Sequence, residues 1–495
     1  MTVSELFRDV PGARLPPSIA SSEAGRLRLD SRLVGPGDLF FALAGEREDG
    51  AAYAARAVAA GAVAVVASGP IDGLPVLEVS APRRALALCA ERLHGHPDRS
   101  LELVGVTGTN GKTTSALLAS AALGGAGYLG TIGYRVGAEW RPAAFTTPEA
   151  PELCELLAEM KSRGQRGCVM EVSSHALAQD RVYGLEFAAA GFTNLTRDHL
   201  DFHGDLESYF QAKRRLFLEG LRPGGTAVVN GDDPFGRRIH GELSAAGRRV
   251  LRFGRGEEAE IRIAVARASL AGSEISLQTP AGELELRSPL VGAHNVENLA
   301  LAAGLALALG REPAAIAAGL GSVDRVPGRL ERVGRGHPLA FVDYAHTDDA
   351  LARVCASLRA LGASRLVLVF GCGGDRDRGK RPLMGAAAAQ GADLVIATSD
   401  NPRSEAPEAV LAEIVAGLDR AGARRLSVRE AAGGARGYLV EVDRAAAIRT
   451  AASLARPDDV LLVAGKGPED YQILGSRRIH FDDREELTAA LEESA

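Results

Sequence analysis

Gly105-Val-Thr-Gly-Thr-Asn-Gly-Lys-Thr-Thr114 is the stretch that decides the fold of this chain. It ends the apolar run LELVGVTG, which predicts a buried strand, and it opens a segment that predicts a helix from Thr113. A glycine-rich turn between a strand and a helix directs backbone N–H groups at phosphate oxygens. Lys112 then reaches the terminal phosphates, and the Thr113 hydroxyl suits Mg²⁺. The stretch therefore predicts an α/β domain that binds a nucleotide.

One position departs from the general phosphate-loop pattern G-x4-G-K-[ST], because Val106 stands where the first glycine belongs. A lone glycine-rich turn is ordinary in proteins. Here the Lys-Thr pair and the strand–helix order agree, so nucleotide binding is favoured over an ordinary turn. The loop residues predicted to bind ATP are Gly108, Thr109, Asn110, Gly111, Lys112, Thr113 and Thr114.

Length, charge and cysteine spacing narrow the class of protein. A chain of 495 residues is too long for one core and predicts two to four domains. Its formal net charge of −6 argues against a nucleic-acid binder. The five cysteines include no C-x-x-C pair, which indicates reduced thiols rather than disulfides or a zinc site. The short apolar runs and the N-terminus, which lacks a signal pattern, predict a soluble cytoplasmic protein without membrane insertion.

The order of the elements predicts an α/β protein of three domains. Residues 1–98 read as a small N-terminal α/β module with short strands. Residues 99–333 read as a central P-loop ATPase-like domain with a mostly parallel sheet, and alternating segments near 261–288 predict an antiparallel addition. Residues 334–495 repeat strand–helix units typical of a Rossmann-like doubly wound domain. Functional loops are expected at the carboxyl ends of its strands.

Eleven stretches, in one order and with compatible spacing, resemble the MurE branch of the Mur ligases over nearly the whole chain. They are DSRLVGPGDLFFAL, GVTGTNGKTT, TTPEAPEL, MEVSSHAL, FTNLTRDHLDFHGDLESYFQAKRRLF, VVNGDDP, VPGRLERV, VDYAHTDDAL, GCGGDRDRGKRPLMG, DNPRSEAP and AGKGPEDYQ. The resemblance implies an ATP-dependent ligase that acts through an acyl phosphate. It would join meso-diaminopimelate to the D-glutamate side-chain carboxylate of UDP-N-acetylmuramoyl-L-alanyl-D-glutamate. These small molecules would be the partners of a monomer.

Two oxygen ligands for Mg²⁺ are predicted at strand ends. Thr113 follows the first central strand, and Glu171 ends the apolar run CVM, although a solvated carboxylate is the alternative for Glu171. His199 and His203 have a spacing that could hold zinc on a helix, but the H-E-x-x-H pattern is missing. The resemblance instead implies that His199 binds a second Mg²⁺ and leaves His203 as a capping or packing residue.

Lys213 lies in QAKRRLF, where an exposed helix cation is the ordinary interpretation. An ammonium cannot bind Mg²⁺. The resemblance implies that this lysine is carbamylated, which converts a cation into a carboxylate that bridges two metal ions. The set predicted for catalysis is Lys112, Glu171, His199 and Lys213.

The resemblance also implies contacts to each substrate. The UDP precursor is expected at Ser31, Arg32, Thr146, Thr147, Ser173, Gln179 and Arg181. The ATP base and phosphates are expected at Asn295, Asn298, Arg329 and Asp343, with an interdomain salt bridge as the alternative for Arg329 and Asp343. Diaminopimelate is expected at Arg376, Asp400, Asn401, Pro402, Arg403, Gly465 and Glu469. Arg403 suits the distal carboxylate and Glu469 an ammonium, whereas a surface arginine is the alternative for Arg403.

Three positions depart from the family pattern: His294 before Asn295, Asp348 in YAHTDDAL, and Pro468 where the family has histidine. Proline fixes φ and removes a donor, so Pro468 bears on how the loop holds diaminopimelate.

Rival functions fit the sequence less well. A lysine-adding ligase of the same family is disfavoured by Arg403, because lysine lacks a distal carboxylate. Folylpolyglutamate synthetases share TGTNGKTT but fit the DSR and DNPR segments poorly. A non-catalytic nucleotide-binding scaffold is disfavoured by the intact catalytic set, and an ATP hydrolase would need no amino-acid acceptor.

Overall fold

The computed structural model describes residues 1–45, 48–334 and 336–494. Its contacts divide the chain into two compact units. The first unit contains residues 1–264, 276–284 and 297–320, and the second contains 265–275, 285–296 and 321–495. Helices alternate with strands in both units, which confirms the predicted α/β class. The domain boundaries after residues 98 and 333 stay predictions.

The N-terminal segment forms a small parallel sheet. Its elements are α1 (Val3–Leu6), β1 (Leu27–Arg28), β2 (Leu39–Phe41), α2 (Ala54–Ala59), β3 (Ala64–Ala67), β4 (Val76–Glu78) and α3 (Pro82–Leu93). The strand order is β1-β2-β3-β4, and each neighbouring pair is parallel. Leu39 and Phe41 face one apolar cluster and Phe40 faces another, so a three-residue apolar strand is buried on both faces.

A large mixed sheet follows. Its strands are β5 (Glu102–Thr107), β6 (Gly127–Gly130), β7 (Gly133–Val136), β8 (Glu139–Arg141), β9 (Gly167–Glu171), β10 (Phe187–Phe192), β11 (Leu221–Asn230), β12 (Arg249–Gly254), β13 (Ile261–Ser269), β14 (Gly272–Thr279) and β15 (Gly282–Ser288). The helices between and after them are α4 (Lys112–Ala122), α5 (Ala150–Ser162), α6 (Ser174–Ala178), α7 (Leu200–His203), α8 (Leu206–Arg215), α9 (Pro234–Ala245), α10 (Ala293–Ala308) and α11 (Pro313–Gly321).

The strand order of this sheet is β15-β14-β13-β12-β11-β10-β5-β9-β6-β7-β8. Strands from β12 to β6 run parallel, as predicted, and β7 and β8 return antiparallel. Two-residue connections, 270–271 and 280–281, join β13, β14 and β15, which makes the predicted addition antiparallel. β5 lies between β10 and β9, so the phosphate loop starts from an interior strand of the sheet.

The second unit contains a six-stranded sheet. Its elements are β16 (Glu331–Val333), β17 (Leu339–Asp343), α12 (Asp348–Ala360), β18 (Leu366–Phe370), α13 (Lys380–Gly391), β19 (Leu394–Ala397), α14 (Pro407–Arg420), α15 (Val428–Ala432), β20 (Gly437–Val440), α16 (Arg444–Leu454), β21 (Val460–Ala464), the hairpin β22 (Tyr471–Leu474) and β23 (Arg477–His480), and α17 (Asp483–Ser494). The order β16-β17-β21-β18-β19-β20 is parallel except for β16.

Residues along β18 alternate between two apolar clusters. Leu366, Leu368 and Phe370 face one, and Val367 and Val369 face the other. Helices therefore cover both faces of the sheet, which is the doubly wound architecture predicted. All five cysteines are free and buried, as expected of reduced thiols. In the described parts of the chain, no helix combines the length and apolar character needed to cross a bilayer.

A buried ion pair supports the carboxyl edge of this sheet. Arg444 and Asp483 are both fully buried, and two 2.7 Å hydrogen bonds join the guanidinium to the carboxylate. Arg444 also donates to the carbonyl oxygens of Ser399 and Ala464, which follow β19 and end β21. The pair thus fixes the ends of two strands that lead into candidate substrate loops.

We expect Asp483→Asn to destabilise the second unit by about 3 kcal/mol, because removing one charge leaves Arg444 buried without its counter-ion. Urea unfolding, followed by far-UV circular dichroism, measures the change in the free energy of unfolding. Glu486→Gln is the matched control, since the nearest atoms of Glu486 and Arg449 are 3.9 Å apart in a solvated pair. The control should stay within about 0.5 kcal/mol of the parent. Equal effects of the two changes would contradict the expectation.

Candidate active site

The phosphate loop is held in a shape that only glycine permits at two positions. Gly108 has φ +146° and Gly111, before α4, has φ +83°. A Cβ added at Gly108 would lie 1.8 Å from the Thr193 hydroxyl oxygen. Thr109 N donates to Asn194 O at 2.8 Å, and Asn110 N donates to Asn194 Oδ1 at 3.0 Å. The segment after β10 therefore braces the loop, a role that the sequence alone did not reveal.

Two lysines converge on one carbonyl of this loop. Lys112 Nζ donates to Gly108 O at 3.0 Å and to Thr109 O at 2.8 Å. Lys213 Nζ donates to Gly108 O at 2.7 Å and lies 4.4 Å from the centre of the Tyr209 ring. Lys213 is only 1% exposed, so the exposed-cation interpretation is wrong. Burial, followed by the charge of Lys112, holds the pKa of Lys213 well below its ordinary value.

Glu171 ends β9 inside a network of donors. Its Oε1 accepts from Tyr128 OH at 2.7 Å and from Thr131 N at 2.8 Å. Its Oε2 accepts from Thr113 Oγ1 at 3.0 Å. Glu171 is 1% exposed, which excludes the solvated-carboxylate alternative. Tyr128 was missed in the sequence because nothing in GYLGTIG distinguishes a core tyrosine from one that orients a carboxylate.

We expect Tyr128→Phe to lower kcat about tenfold, because loss of one partner of a ligand carboxylate typically costs 10–100-fold. ATP turnover in the presence of all substrates measures the loss, and thermal unfolding checks the fold. Tyr438→Phe is the control, since the Tyr438 hydroxyl donates to Asp419 in the second unit. The role given to Tyr128 would be wrong if both variants kept the parent kcat.

The histidines of the TRDHLDFHGD segment are not arranged as a zinc pair. His199 has φ +52° and precedes α7, with its Nε2 3.5 Å from Asp198 Oδ2. Burial lowers the pKa of His199, which favours the neutral imidazole that binds metal ions. His203 packs on His175 and Tyr209, in line with its predicted packing role. No three His, Cys, Asp or Glu side chains in the described ranges lie together as a metal cluster.

Five residues predicted to hold the UDP precursor lie together beside Glu171. Thr147 Oγ1 donates to Glu171 O at 2.8 Å and accepts from Ser173 N at 3.0 Å. Arg181 donates to Thr147 O at 2.9 Å and to Gln179 Oε1 at 2.8 Å. Thr146 also belongs to this group, with its hydroxyl 3.0 Å from that of Thr131. These contacts bring the predicted precursor residues next to the predicted metal ligand.

Ser31 and Arg32 lie on a separate 3-10 turn, Ser31–Leu33. Asp30 caps this turn, and its carboxylate accepts two-pronged hydrogen bonds from the Arg32 guanidinium. The Arg32 side chain is 72% exposed. Contact of these two residues with the UDP moiety stays a prediction.

The residues predicted for the ATP base already serve the protein's own contacts. Asn298 Oδ1 accepts from Ser115 Oγ at 3.0 Å and would lie 2.4 Å from a Cβ added at Gly111. Asn295 Nδ2 donates to Val291 O at 2.8 Å. In the second unit, Arg329 lies 4.9 Å from the centre of the Tyr344 ring. The predicted contacts of Asn295, Asn298 and Arg329 with ATP remain untested by this geometry.

Asp343 ends β17 and is half-buried. Its carboxylate accepts from Leu330 N at 2.7 Å and from Ala345 N at 2.8 Å. These bonds tie the strand end to the loop that carries Arg329. A contact of Asp343 with ATP stays a prediction.

The residues predicted for diaminopimelate gather at the carboxyl ends of β18, β19 and β21. Asn401 Nδ2 donates to Glu469 Oε2 at 2.9 Å, and Asp400 Oδ2 would lie 2.8 Å from a Cβ added at Gly465. Arg403 Nη1 donates to Gly374 O at 2.7 Å. Arg403 has φ +53°, and its backbone N–H donates to Ile473 O in the β22 hairpin. Two loops therefore hold it, which argues against a plain surface arginine.

Pro402 and Arg376 complete the set. Pro402 packs so closely on Gly374 that a Cβ there would lie 1.9 Å from Pro402 O. Arg376 is exposed, and its Cγ would lie 3.7 Å from a Cβ added at Gly373. Arg376 therefore lies in the loop that follows β18, and Pro402 packs on that loop.

Lys466 belongs to the same cluster, although it was missed in the sequence. It is fully buried, and its Nζ lies 3.3 Å from Glu469 Oε2 and 3.4 Å from Asn401 Oδ1. Burial raises the pKa of Glu469, and Lys466 opposes that rise. Pro468 packs on Gly328, where an added Cβ would lie 2.3 Å from Pro468 N. The pyrrolidine ring of Pro468, where the family has histidine, thus lies against the loop that carries Arg329.

Family models match three successive parts of the chain. Residues 25–98 match the Mur ligase family catalytic domain, 106–306 the Mur ligase middle domain, and 328–467 the Mur ligase glutamate ligase domain. These matches cover most of the chain.

Two similar proteins and one similar solved structure carry the same name. The UDP-N-acetylmuramoyl-L-alanyl-D-glutamate--2,6-diaminopimelate ligase of Geobacter metallireducens is 44% identical over 100% of this chain and 99% of its own. The ligase of that name from Gloeobacter violaceus is 47% identical, over 94% of this chain and 93% of its own. A solved structure of a ligase with that name is 34% identical, with a TM-score of 0.71 over 100% and 99% of the two chains.

Proposed function

The chain belongs to the Mur ligase family, and on that premise we propose that it adds meso-diaminopimelate to UDP-N-acetylmuramoyl-L-alanyl-D-glutamate during peptidoglycan synthesis. The observation that carries the proposal is the cluster of Asn401, Arg403 and Glu469 at the carboxyl edge of the second sheet. An arginine for a carboxylate and a glutamate for an ammonium match the two kinds of charged group on a diamino diacid. We propose the cytoplasm as its location, where ATP is supplied.

Activation of the precursor is the first step. The loop N–H groups and Lys112 hold the phosphates of ATP, and Thr147, Ser173 and Arg181 hold the precursor near Glu171. An oxygen of the D-glutamate side-chain carboxylate attacks the γ-phosphorus, and the bond to the β-phosphate oxygen breaks. ADP leaves, and the products of this step are ADP and an acyl phosphate. Lys112 offsets the charge when these two anions approach.

Amide formation is the second step. The diaminopimelate ammonium loses one proton, the resulting amine attacks the acyl carbon, and its nitrogen then loses a second proton. The resulting tetrahedral intermediate collapses, and inorganic phosphate leaves with the oxygen that came from the carboxylate. Arg403 and Glu469 orient the amino acid so that one amine alone reaches the acyl phosphate. Water must be excluded here, since it would hydrolyse the acyl phosphate.

Mg²⁺ fits the oxygens that the chain places together. Thr113 Oγ1 and Glu171 Oε2 are buried, 3.0 Å apart, and beside the phosphate loop. A bound Mg²⁺ would neutralise charge on the phosphate oxygens. A second ion is proposed from the resemblance, with His199 and a carboxylated Lys213 as ligands.

Carboxylation of Lys213 is part of the proposal. Lys213 is fully enclosed, its Nζ donates to a backbone carbonyl, and none of the carboxylates in the described chain forms a salt bridge with it. The neutral form of this amine would attack CO₂, form an N–C bond and lose one proton, which gives a carbamate. The carbamate would supply the oxygen ligands that a plain amine lacks.

An oxygen-isotope experiment tests the two-step route. The precursor is labelled with ¹⁸O in the D-glutamate side-chain carboxylate and incubated with ATP, Mg²⁺ and diaminopimelate. One labelled oxygen is expected in inorganic phosphate and the other in the new amide. Unlabelled phosphate formed along with the tripeptide would contradict the acyl-phosphate route.

A further inference from the structure

A partly buried charge network joins the end of α6 to the end of α8. Its centre is the Arg215 guanidinium, at the end of α8 and two residues after Lys213. Arg215 Nη2 donates to Asp180 Oδ1 at 2.6 Å, and Nη1 donates to the Leu177 carbonyl oxygen. Its Nε donates to Glu219 at 3.1 Å and 3.2 Å. One side chain thereby joins two segments that carry different parts of the candidate site.

The first of these segments is the turn that follows α6. Leu177 O, one of the last carbonyls of this helix, accepts from Asp180 N at 3.3 Å and also from the Arg215 guanidinium. Asp180 then has φ +55°, a left-handed conformation that few residues other than glycine, asparagine and aspartate adopt readily. Gln179 and Arg181 flank Asp180 directly. The orientation of Gln179 and Arg181, both predicted to contact the precursor, therefore depends on the left-handed conformation of Asp180.

The second segment is the end of α8. A π-helical turn, Leu216–Gly220, follows Arg215 at once, and Glu219 in this turn holds the outer edge of the guanidinium. Such turns are uncommon and often accompany functional sites. The nearest atoms of Arg84 and Asp180 are 3.4 Å apart, so a second cation faces the same carboxylate. The side chains of Arg215 and Asp180 are 24% and 17% exposed, so water screens their pairing only partly.

We infer that Arg215 and Asp180 are positioning residues. They hold Gln179 and Arg181 at a fixed position relative to α8, the helix that carries Lys213. They touch no substrate, and they act through the turn between α6 and β10. The inference rests on the proposed ligase function, because it concerns the site for the UDP precursor. Neither residue belongs to the sets predicted for catalysis or substrate contact.

The test compares Arg215→Met with Arg214→Met, its neighbour on α8. Arg214 forms a half-exposed pair with Glu242, whose Oε2 is 2.5 Å from Arg214 Nε, and provides the matched control. We expect Arg215→Met to raise KM for the precursor about tenfold, which corresponds to a loss of roughly 1.4 kcal/mol of binding free energy. The kcat and the KM for ATP should change less than about threefold, and Arg214→Met should leave all constants as in the parent.

A double-mutant cycle with Asp180→Asn tests whether Arg215 and Asp180 act through their contact with each other. Asparagine keeps the left-handed preference but removes the charge. The double variant is expected to be no worse than Arg215→Met alone, whereas independent effects would add. Arg215→Lys, which retains charge but reaches fewer acceptors, is expected to give an intermediate KM and serves if the methionine variant fails to fold.

The outcomes separate this inference from the proposed function. If the parent enzyme forms no tripeptide, the proposed function fails. If the parent is active but Arg215→Met and Arg215→Lys match the Arg214 control, the positioning role fails. A fall in kcat together with a rise in KM for every substrate would also contradict the positioning role, because that pattern reflects general loosening of the fold. Calorimetric titration of the precursor into each variant gives the binding change without turnover.

Discussion

Replacing Lys213 by methionine is expected to lower kcat by about 10³–10⁴-fold, or ~4–5.5 kcal/mol of transition-state stabilisation. Methionine fills a similar volume but cannot donate to Gly108 O or become a carbamate. The same change should not lower the thermal midpoint, because an enclosed amine costs desolvation energy that an apolar side chain does not. Lost activity without lost stability identifies a residue kept for chemistry. Tripeptide formation and thermal unfolding of the same preparations measure both quantities.

Lys161→Met is the matched control for Lys213, since Lys161 lies exposed near the end of α5. Its kcat should equal that of the parent. Short carboxylic acids added to Lys213→Ala offer a second check, because they return an acceptor to the space that the lysine filled. Full activity of Lys213→Met would refute a catalytic role for this residue. Activity of the parent that is independent of CO₂, with an unmodified intact mass, would refute the carbamate alone.

Arg403→Met is expected to lower kcat/KM for meso-diaminopimelate by about 10³-fold, or ~4 kcal/mol, which is within the 2–5 kcal/mol typical of a truncated buried charge pair. The variant leaves the distal carboxylate of the amino acid without its two-pronged partner. The KM values for ATP and for the UDP precursor should stay close to the parent values. For L-lysine, which has no distal carboxylate, kcat/KM should fall less than about tenfold. The ratio of kcat/KM between the two amino acids should therefore become smaller.

The control for Arg403 is Arg436→Met, an exposed arginine of the same unit that pairs with Asp393. It should leave kcat/KM unchanged for both amino acids. Equal losses for diaminopimelate and lysine with Arg403→Met would mean that the residue supports the loop between β19 and α14 without reading the carboxylate. Such a result would agree with its contacts to Gly374 and Ile473 and would remove it from the specificity site.

Apolar runs were sufficient to predict most strands. LELVGVTG and the run CVM before Glu171 form β5 and β9, because short continuous apolar runs favour strands that are covered on both faces. The strand order could not be read in the same way. β5 lies between β10 and β9, and β21 lies between β17 and β18, and such order depends on crossovers that no local pattern encodes.

Site residues were predictable where one residue type does the chemistry. Lys112 and Thr113 follow from the phosphate loop, and Arg403 follows from the resemblance of DNPR. Burial was not predictable: QAKRRLF is rich in cations and is typical of a solvated helix face, yet Lys213 is enclosed under the loop. Tyr128 depends on a partner 43 residues away in the chain, and no local spacing reveals such a contact.

Product mass, measured after the chain is incubated with ATP, Mg²⁺ and UDP-N-acetylmuramoyl-L-alanyl-D-glutamate, tests the central claim most directly. Parallel reactions contain meso-diaminopimelate, L-lysine or no amino acid. The account predicts a UDP-linked tripeptide with diaminopimelate and formation of ADP that depends on that acceptor. Tripeptide with lysine alone would overturn the specificity assigned to Arg403. ADP formation at the same rate without any amino acid, and no tripeptide in any reaction, would contradict the ligase function itself.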